Sequence, residues 1–289
     1  MPRRLDEFVQ DPEIIEALHC HRKRLIVVMG NSDTGKTSLV TCLADLLGRK
    51  TEVGLVDLDM GQSHIGPPTT VAWGRVEGGF RGWGAIAVED FYFIGSLTPR
   101  GNLVTTVVGA KLITQRALSA CKKVVVDTTG FIAGVSGTVL KQAKIDLLEP
   151  DIILALERSD ELGHIVEAFS YQKAPSVYRV SVPLRVEPKG YTERNQHRLK
   201  RFRSYFNGAK TLDVSFKAVS IRSTGEPVNA GTDDVTERIV SFRDDRNRDL
   251  ALGLVEGVDS MEEKVLIRSP LKKDIKFSTV VFGSVKVAL

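Results

Sequence analysis

The chain has 289 residues, of which 42% are hydrophobic and 26% charged, a globular composition that excludes a disordered chain, a collagen-like repeat or a coiled-coil rod. The length, above the roughly 150 residues of an average domain, predicts one large domain or a medium one with a small companion. A surplus of four positive charges is too small to dictate a nucleic-acid or membrane partner.

Cys20, Cys42 and Cys121 are widely spaced and odd in number, which argues against a disulfide framework or zinc cluster and fits a reducing compartment. The first 20 residues carry charges every few positions and no apolar h-region, and apolar runs such as 25–29 fall far short of a membrane span. We expect a cytoplasmic protein, nuclear if the source is eukaryotic, with no membrane partner.

LIVVM at 25–29 is continuous, β-branched and followed by a Gly-rich turn, the pattern of a central strand buried on both faces. Residues 36–47 then read as a helix. The runs EVGLVDLD (52–59), KKVVVDTTG (122–130) and DIILALE (151–157) repeat the pattern with helix-compatible sequence between them. This alternation predicts a doubly wound parallel sheet, whose ligands gather beyond the C-terminal ends of the strands. Gly30, Asp57, Asp59, Asp127 and Gly130 fall at those ends. After YFNG (205–208), short β-type runs are punctuated by Gly, Pro, Asn and Asp. We expect an α/β domain over 1–210 and a small β-rich domain over 211–289, with the polar stretch 223–248 as a long loop or hairpin insertion.

Gly30-Asn-Ser-Asp-Thr-Gly-Lys-Thr37 satisfies GxxxxGK[ST] between a strand and a helix, which makes the α/β domain a P-loop NTPase fold. Backbone N–H groups of such a loop cradle phosphate oxygens, Lys36 reaches the β- and γ-phosphates, and the Thr37 hydroxyl can ligate Mg²⁺. Gly30, Asp33, Thr34, Gly35, Lys36, Thr37 and Ser38 are the candidate nucleotide contacts. Gln172-Lys173-Ala174-Pro175 lacks the carboxylate of a guanine-reading NKxD motif, which favours ATP. No lysine directly follows Gly30, which weighs against the deviant-loop partitioning ATPases.

Asp57 and Asp59, at period-two spacing, are predicted on one side of the second strand end, beside the cradle. A carboxylate there either supports the magnesium shell or accepts the proton of an attacking hydroxyl. Gln62 could instead orient a water, as a hydrolase requires. The five histidines show no metal-ligand spacing, and His64 and His197 read as polar surface.

Several blocks together resemble the polynucleotide 5′-hydroxyl kinases related to the kinase subunit of the pre-mRNA cleavage complex and the pre-ribosomal-RNA-processing kinase. They are Asp33 within the loop, DLDMGQSHIGPP (57–68), GSLTPRGN (95–102), VVVDTTGFIAG (124–134) and PKGYTERNQHRLKRFRSYFNG (188–208). Order and spacing fit over roughly residues 20–210. The resemblance implies that Lys36 and Thr37 handle ATP and Mg²⁺, and that Asp59 activates the 5′-hydroxyl and adjoins the metal. It also implies that Gln62, Thr98, Asn102, Thr129 and Gly130 hold the first nucleotides of single-stranded RNA or DNA. Phe131 stands where that family most often has Trp and would stack on a base. Arg100 is a further candidate phosphate contact.

In the lid block, Arg194, Arg198 and Arg201 fall at i, i+4 and i+7, one basic face on a helix, with Tyr205 continuing the stripe. Arg194 is the candidate transition-state residue. Lys189-Gly190 replaces the family's Arg-Ser; Lys189 keeps the charge but lacks the bidentate fork. About two dozen residues precede the first strand, where eukaryotic members of that family carry a β domain, so we expect a compact, stand-alone enzyme. A nucleotide-binding scaffold with little transfer activity and a GTPase-like regulator are the competing readings.

Overall fold

The computed structural model describes residues 4–187, 190–229, 234–259 and 261–289. The chain opens with α1 (Pro12–His19), β1 (Leu25–Gly30), α2 (Lys36–Gly48) and β2 (Val53–Asp57). An edge hairpin follows, β3 (Thr70–Val76) and β4 (Val88–Phe93), then α3 (Leu103–Ala120), β5 (Lys123–Asp127), α4 (Gly134–Leu148) and β6 (Ile152–Glu157). The short α5 (Gly163–Val166), β7 (Ser176–Ser181) and α6 (Tyr191–Tyr205) complete this part.

These strands form a seven-stranded sheet in the order β4-β3-β2-β5-β1-β6-β7. The five strands from β2 to β7 in that order run parallel; the hairpin adds β3 antiparallel to both β2 and β4. β1 lies at the centre, completely buried, because its unbroken apolar run has helices on both faces to cover it. Its register with β5 sets Val28 opposite Asp127, so the phosphate loop and the end of β5 emerge side by side. Two hydrophobic clusters fill the two faces of the sheet.

A second sheet takes the order β8-β12-β11-β10-β13-β9, from β8 (Lys210–Ser215), β9 (Ser220–Ser223), β10 (Arg238–Arg243), β11 (Asp249–Asp259), β12 (Lys264–Ser269) and β13 (Thr279–Lys286). Its pairings are antiparallel except β13 with β9. The architecture is therefore an α/β P-loop fold with a mostly parallel central sheet and a separate, largely antiparallel C-terminal sheet. Where a loop or hairpin insertion was expected over 223–248, residues 238–243 form β10, with Ile239, Val240, Ser241, Phe242 and Arg243 buried. Among the described residues, no helix is long and apolar enough to cross a membrane.

Candidate active site

The phosphate loop joins β1 to α2 with two residues in left-handed backbone, Asp33 (φ 57°) and Gly35 (φ 88°). Gly30 is pressed against Leu156 on β6: a β-carbon there would lie 2.6 Å from Thr34 Oγ1 and 2.7 Å from the Leu156 carbonyl. Thr34 is fully buried and donates to the Asn31 carbonyl at 3.0 Å. Gly30 and Thr34 thus shape the loop from within, and the loop presents Asp33, Gly35, Lys36, Thr37 and Ser38 to a cavity of about 190 Å³. Lys36 Nζ is turned back to donate to the Asn31 carbonyl at 2.6 Å. Burial lowers its pKa, against the opposing pull of Asp127, Asp59 and Asp33.

The strand expected to carry both carboxylates ends at Asp57, and the chain turns before Asp59. Their roles separate. Asp57 is buried and holds the turn together by accepting from the N–H groups of Asp59, His64 and Ile65 at 2.6–3.0 Å. Burial, then Asp127 and Asp59, push its pKa up to about 7. Asp59 is half-buried and lines the cavity, its Oδ1 accepting from the N–H groups of Gly61 and Gln62 at 3.0 Å each.

Thr37 Oγ1 donates to Asp127 Oδ2 at 2.7 Å. Asp127 is buried, and among the described residues its other oxygen has no hydrogen-bond partner. Burial raises its pKa to about 6, less than burial alone would because Lys36 and the Thr37 hydroxyl favour the anion. Asp127 is a site residue that the motifs did not single out, although its place at a strand end was visible. Its proximity to Thr37 becomes legible only from the β1–β5 register.

Arg194, near the start of α6, reaches the loop and pairs with Asp33, while its backbone carbonyl accepts from Gln62 Nε2 at 3.3 Å. The stripe Arg194, Arg198, Arg201 is not one solvated face. Arg201 is half-buried and donates to the Gly66 carbonyl, and the Tyr205 hydroxyl accepts from the Leu252 N–H at 2.8 Å. Lys189 lies outside the described residues. His64 and His197, read as polar surface, are half-buried: His64 lines the cavity, stacks on Trp83 with ring centroids 4.6 Å apart and meets His197 at 5.4 Å.

On the acceptor side, Gln62 and Gly130 line the same cavity, and Gly130 is packed so closely on the loop that a β-carbon would overlap Ser32. Thr98, Arg100, Asn102, Thr129 and Phe131 stand outside that lining. Thr98 and Arg100 are exposed, and Asn102 Nδ2 donates to the Arg100 carbonyl at 3.3 Å in the turn before α3. That turn borders the Asp59 loop, since a β-carbon on Gly61 would come within 2.6 Å of the Leu97 carbonyl. Thr129 is buried; Phe131 is half-buried and, among the described residues, joins none of the three hydrophobic clusters.

A family model described as the mRNA cleavage and polyadenylation factor CLP1 P-loop matches residues 30–208. The chain belongs to the CLP1 P-loop family. The CLP1 P-loop match spans the phosphate loop, Asp59, the turn at 98–102, the Thr129–Phe131 block and α6. Among curated relatives, a polyribonucleotide 5′-hydroxyl-kinase of Pyrococcus furiosus is 35% identical over 217 residues, 75% of this chain and 59% of its own length. Those of Pyrococcus abyssi (32%; 80% and 64%) and Methanocaldococcus jannaschii (35%; 72% and 58%) are similar. The chain spans about three fifths of the length of these relatives. The structure of a wild-type Clp1p–Pcf11p complex has the same fold, with TM-score 0.75 at 13% identity over 95% of this chain and 77% of that one.

Proposed function

We propose that this CLP1 P-loop chain is an ATP-dependent polynucleotide 5′-hydroxyl kinase, acting on 5′ ends of RNA and of single-stranded DNA. The observation that carries the reading is the convergence of Lys36, Asp59 and Arg194, from three distant segments, on one cavity. The names of the curated relatives support it. In this reading the 5′-oxygen bonds to the γ-phosphorus as the β–γ bridging bond breaks, the hydroxyl proton passes to Asp59, and ADP leaves. Lys36 exchanges the Asn31 carbonyl for phosphate oxygens, Arg194 exchanges Asp33 for the charge that spreads in the transition state, and Lys189 adds a positive charge to the lid. Gln62, Thr98, Arg100, Asn102, Thr129 and Gly130 hold the acceptor strand, and Phe131 stacks on a base.

The oxygens of Thr37, Asp59 and Asp127 suit Mg²⁺, a hard cation that takes oxygen ligands, and the Asp127 oxygen that has no partner among the described residues leaves acceptor capacity for it. The ion would supply charge neutralisation at the β- and γ-phosphates. Residues 1–210 form the kinase domain and 211–289 its β-rich companion. The test is transfer of labelled γ-phosphate to matched RNA and DNA oligonucleotides, beside Lys36→Ala. Transfer by the wild type and none by the variant is expected. ATP binding without transfer would mark a scaffold, and GTP-preferring, acceptor-independent phosphate release would mark a GTPase-like regulator.

A further inference from the structure

We propose that Lys141 is a positioning residue whose side-chain amine ties the Thr128–Thr129 turn to β1 and so sets the gap between the phosphate loop and the Gly130–Phe131 turn where the acceptor strand enters. The inference rests on the kinase reading and adds to it a residue outside the cavity.

Lys141, on α4, is completely buried. Its Nζ donates to Thr128 Oγ1 at 2.9 Å and to the Thr129 carbonyl at 2.6 Å. The Thr128 hydroxyl donates in turn to the Val28 carbonyl at 2.8 Å, on the strand that launches the phosphate loop. One bond therefore runs through Thr128 into β1, and the other holds the carbonyl that immediately precedes Gly130. A β-carbon on Gly130 would already overlap Ser32, so the turn lies against the loop, and slack at Thr129 would let Gly130 and Phe131 move outwards, away from it. Misplacement of this kind by about 1 Å is enough to cost a reaction about 100-fold.

Packing alone does not call for a lysine here. Burial and the neighbouring Lys144 and Lys36 lower its pKa well below the ordinary lysine value, and whether charged or neutral the amine has at least two N–H donors for the two oxygens it meets. Methionine would fill about the same volume but would leave the buried Thr129 carbonyl without this donor, which lowers stability. What methionine cannot supply is the pair of bonds that fixes the turn.

The test compares Lys141→Met, Thr128→Val and the double variant with the wild type. It reads the thermal midpoint, ATP affinity with a fluorescent ATP analogue, the acceptor KM, and binding of a fluorescein-labelled 5′-hydroxyl RNA oligonucleotide without ATP. For Lys141→Met we expect a folded protein whose midpoint falls by a few degrees and whose ATP affinity stays within about threefold, with acceptor KM and RNA dissociation constant raised about tenfold or more. Thr128→Val should show a smaller rise, and the double variant no more than Lys141→Met, because both cut one chain of bonds. Unchanged acceptor binding in Lys141→Met, or a loss of ATP binding as large as that of RNA binding, would overturn the proposal; should that variant not fold, unchanged acceptor binding in Thr128→Val would do so. A wild type that binds RNA but transfers nothing would sink the kinase reading instead, leaving Lys141 to be judged on binding.

Discussion

Lys144 lies one turn beyond Lys141 on α4, buried and, among the described residues, without a hydrogen-bond partner for Nζ. Burial lowers its pKa from 10.5 to about 8, with Asp59 pulling the other way; that drop corresponds to about 3 kcal/mol. The folded protein releases this proton before the unfolded chain does. From about pH 8 to 10.5 the unfolded state therefore binds more protons and stability rises with pH, while below about pH 8 the full penalty applies. Lys144→Met should raise the thermal midpoint at pH 7 by more than at pH 10, and equal gains at both would contradict the assignment. At Gly130, any β-carbon overlaps Ser32, so Gly130→Ala should weaken ATP binding about tenfold or more, measured by titration calorimetry; wild-type affinity would show that the loop yields freely. The phosphate loop was legible in the sequence because its chemistry is local, from Gly30 to Thr37. Asp127 was legible only as a strand-end carboxylate, and Lys141 and Lys144 not at all, since their partners come from register and from the packing of α4.

Helix α6 connects the two sheets to the site. At its C-terminal end Phe202 and Phe206 are buried in the cluster that also contains Ile26 of β1 and Leu252 of β11, and the Tyr205 hydroxyl accepts from the Leu252 N–H. The other end carries Arg194 to the phosphate loop. Tyr205→Phe removes the partner of a part-buried N–H and should lower stability by about 1–3 kcal/mol, read by urea denaturation; no change would mean that water replaces the bond. Among the elements, those with long apolar runs, β1, β2, β5 and β6, were readable because burial on both faces leaves a continuous signal. The hairpin β3–β4 and β7 left weaker traces: β4 is VEDFYF and β7 is SVYRVS, edge strands that mix polar and apolar residues. β10 was hidden inside a charged stretch, because its Arg243 is buried against Asp249 of the next strand, a pairing that local pattern does not reveal.

At the scale of the whole molecule the two sheets are joined by polar as well as apolar contacts. Asp249 Oδ2 on β11 accepts from the Phe93 N–H of β4 at 3.0 Å, while its carboxylate also receives Arg243 and Ser241. The Ser284 N–H of β13 donates to the Gly95 carbonyl, just ahead of the turn before α3, at 2.8 Å. Asp249→Ala would leave the Arg243 guanidinium buried and uncompensated, and should destabilise the chain by about 3–5 kcal/mol. Intrinsic fluorescence and circular dichroism should lose signal together if the sheets unfold as one; separate transitions would show that this junction is weak. In the proposed kinase reaction Asp59 accepts the proton of the polymer's 5′-hydroxyl. The most direct measurement is single-turnover transfer from ATP to a 5′-hydroxyl oligonucleotide by Asp59→Asn: ATP affinity within about threefold of wild type and transfer slowed about 100-fold or more is predicted, whereas wild-type transfer by that variant would contradict the mechanism.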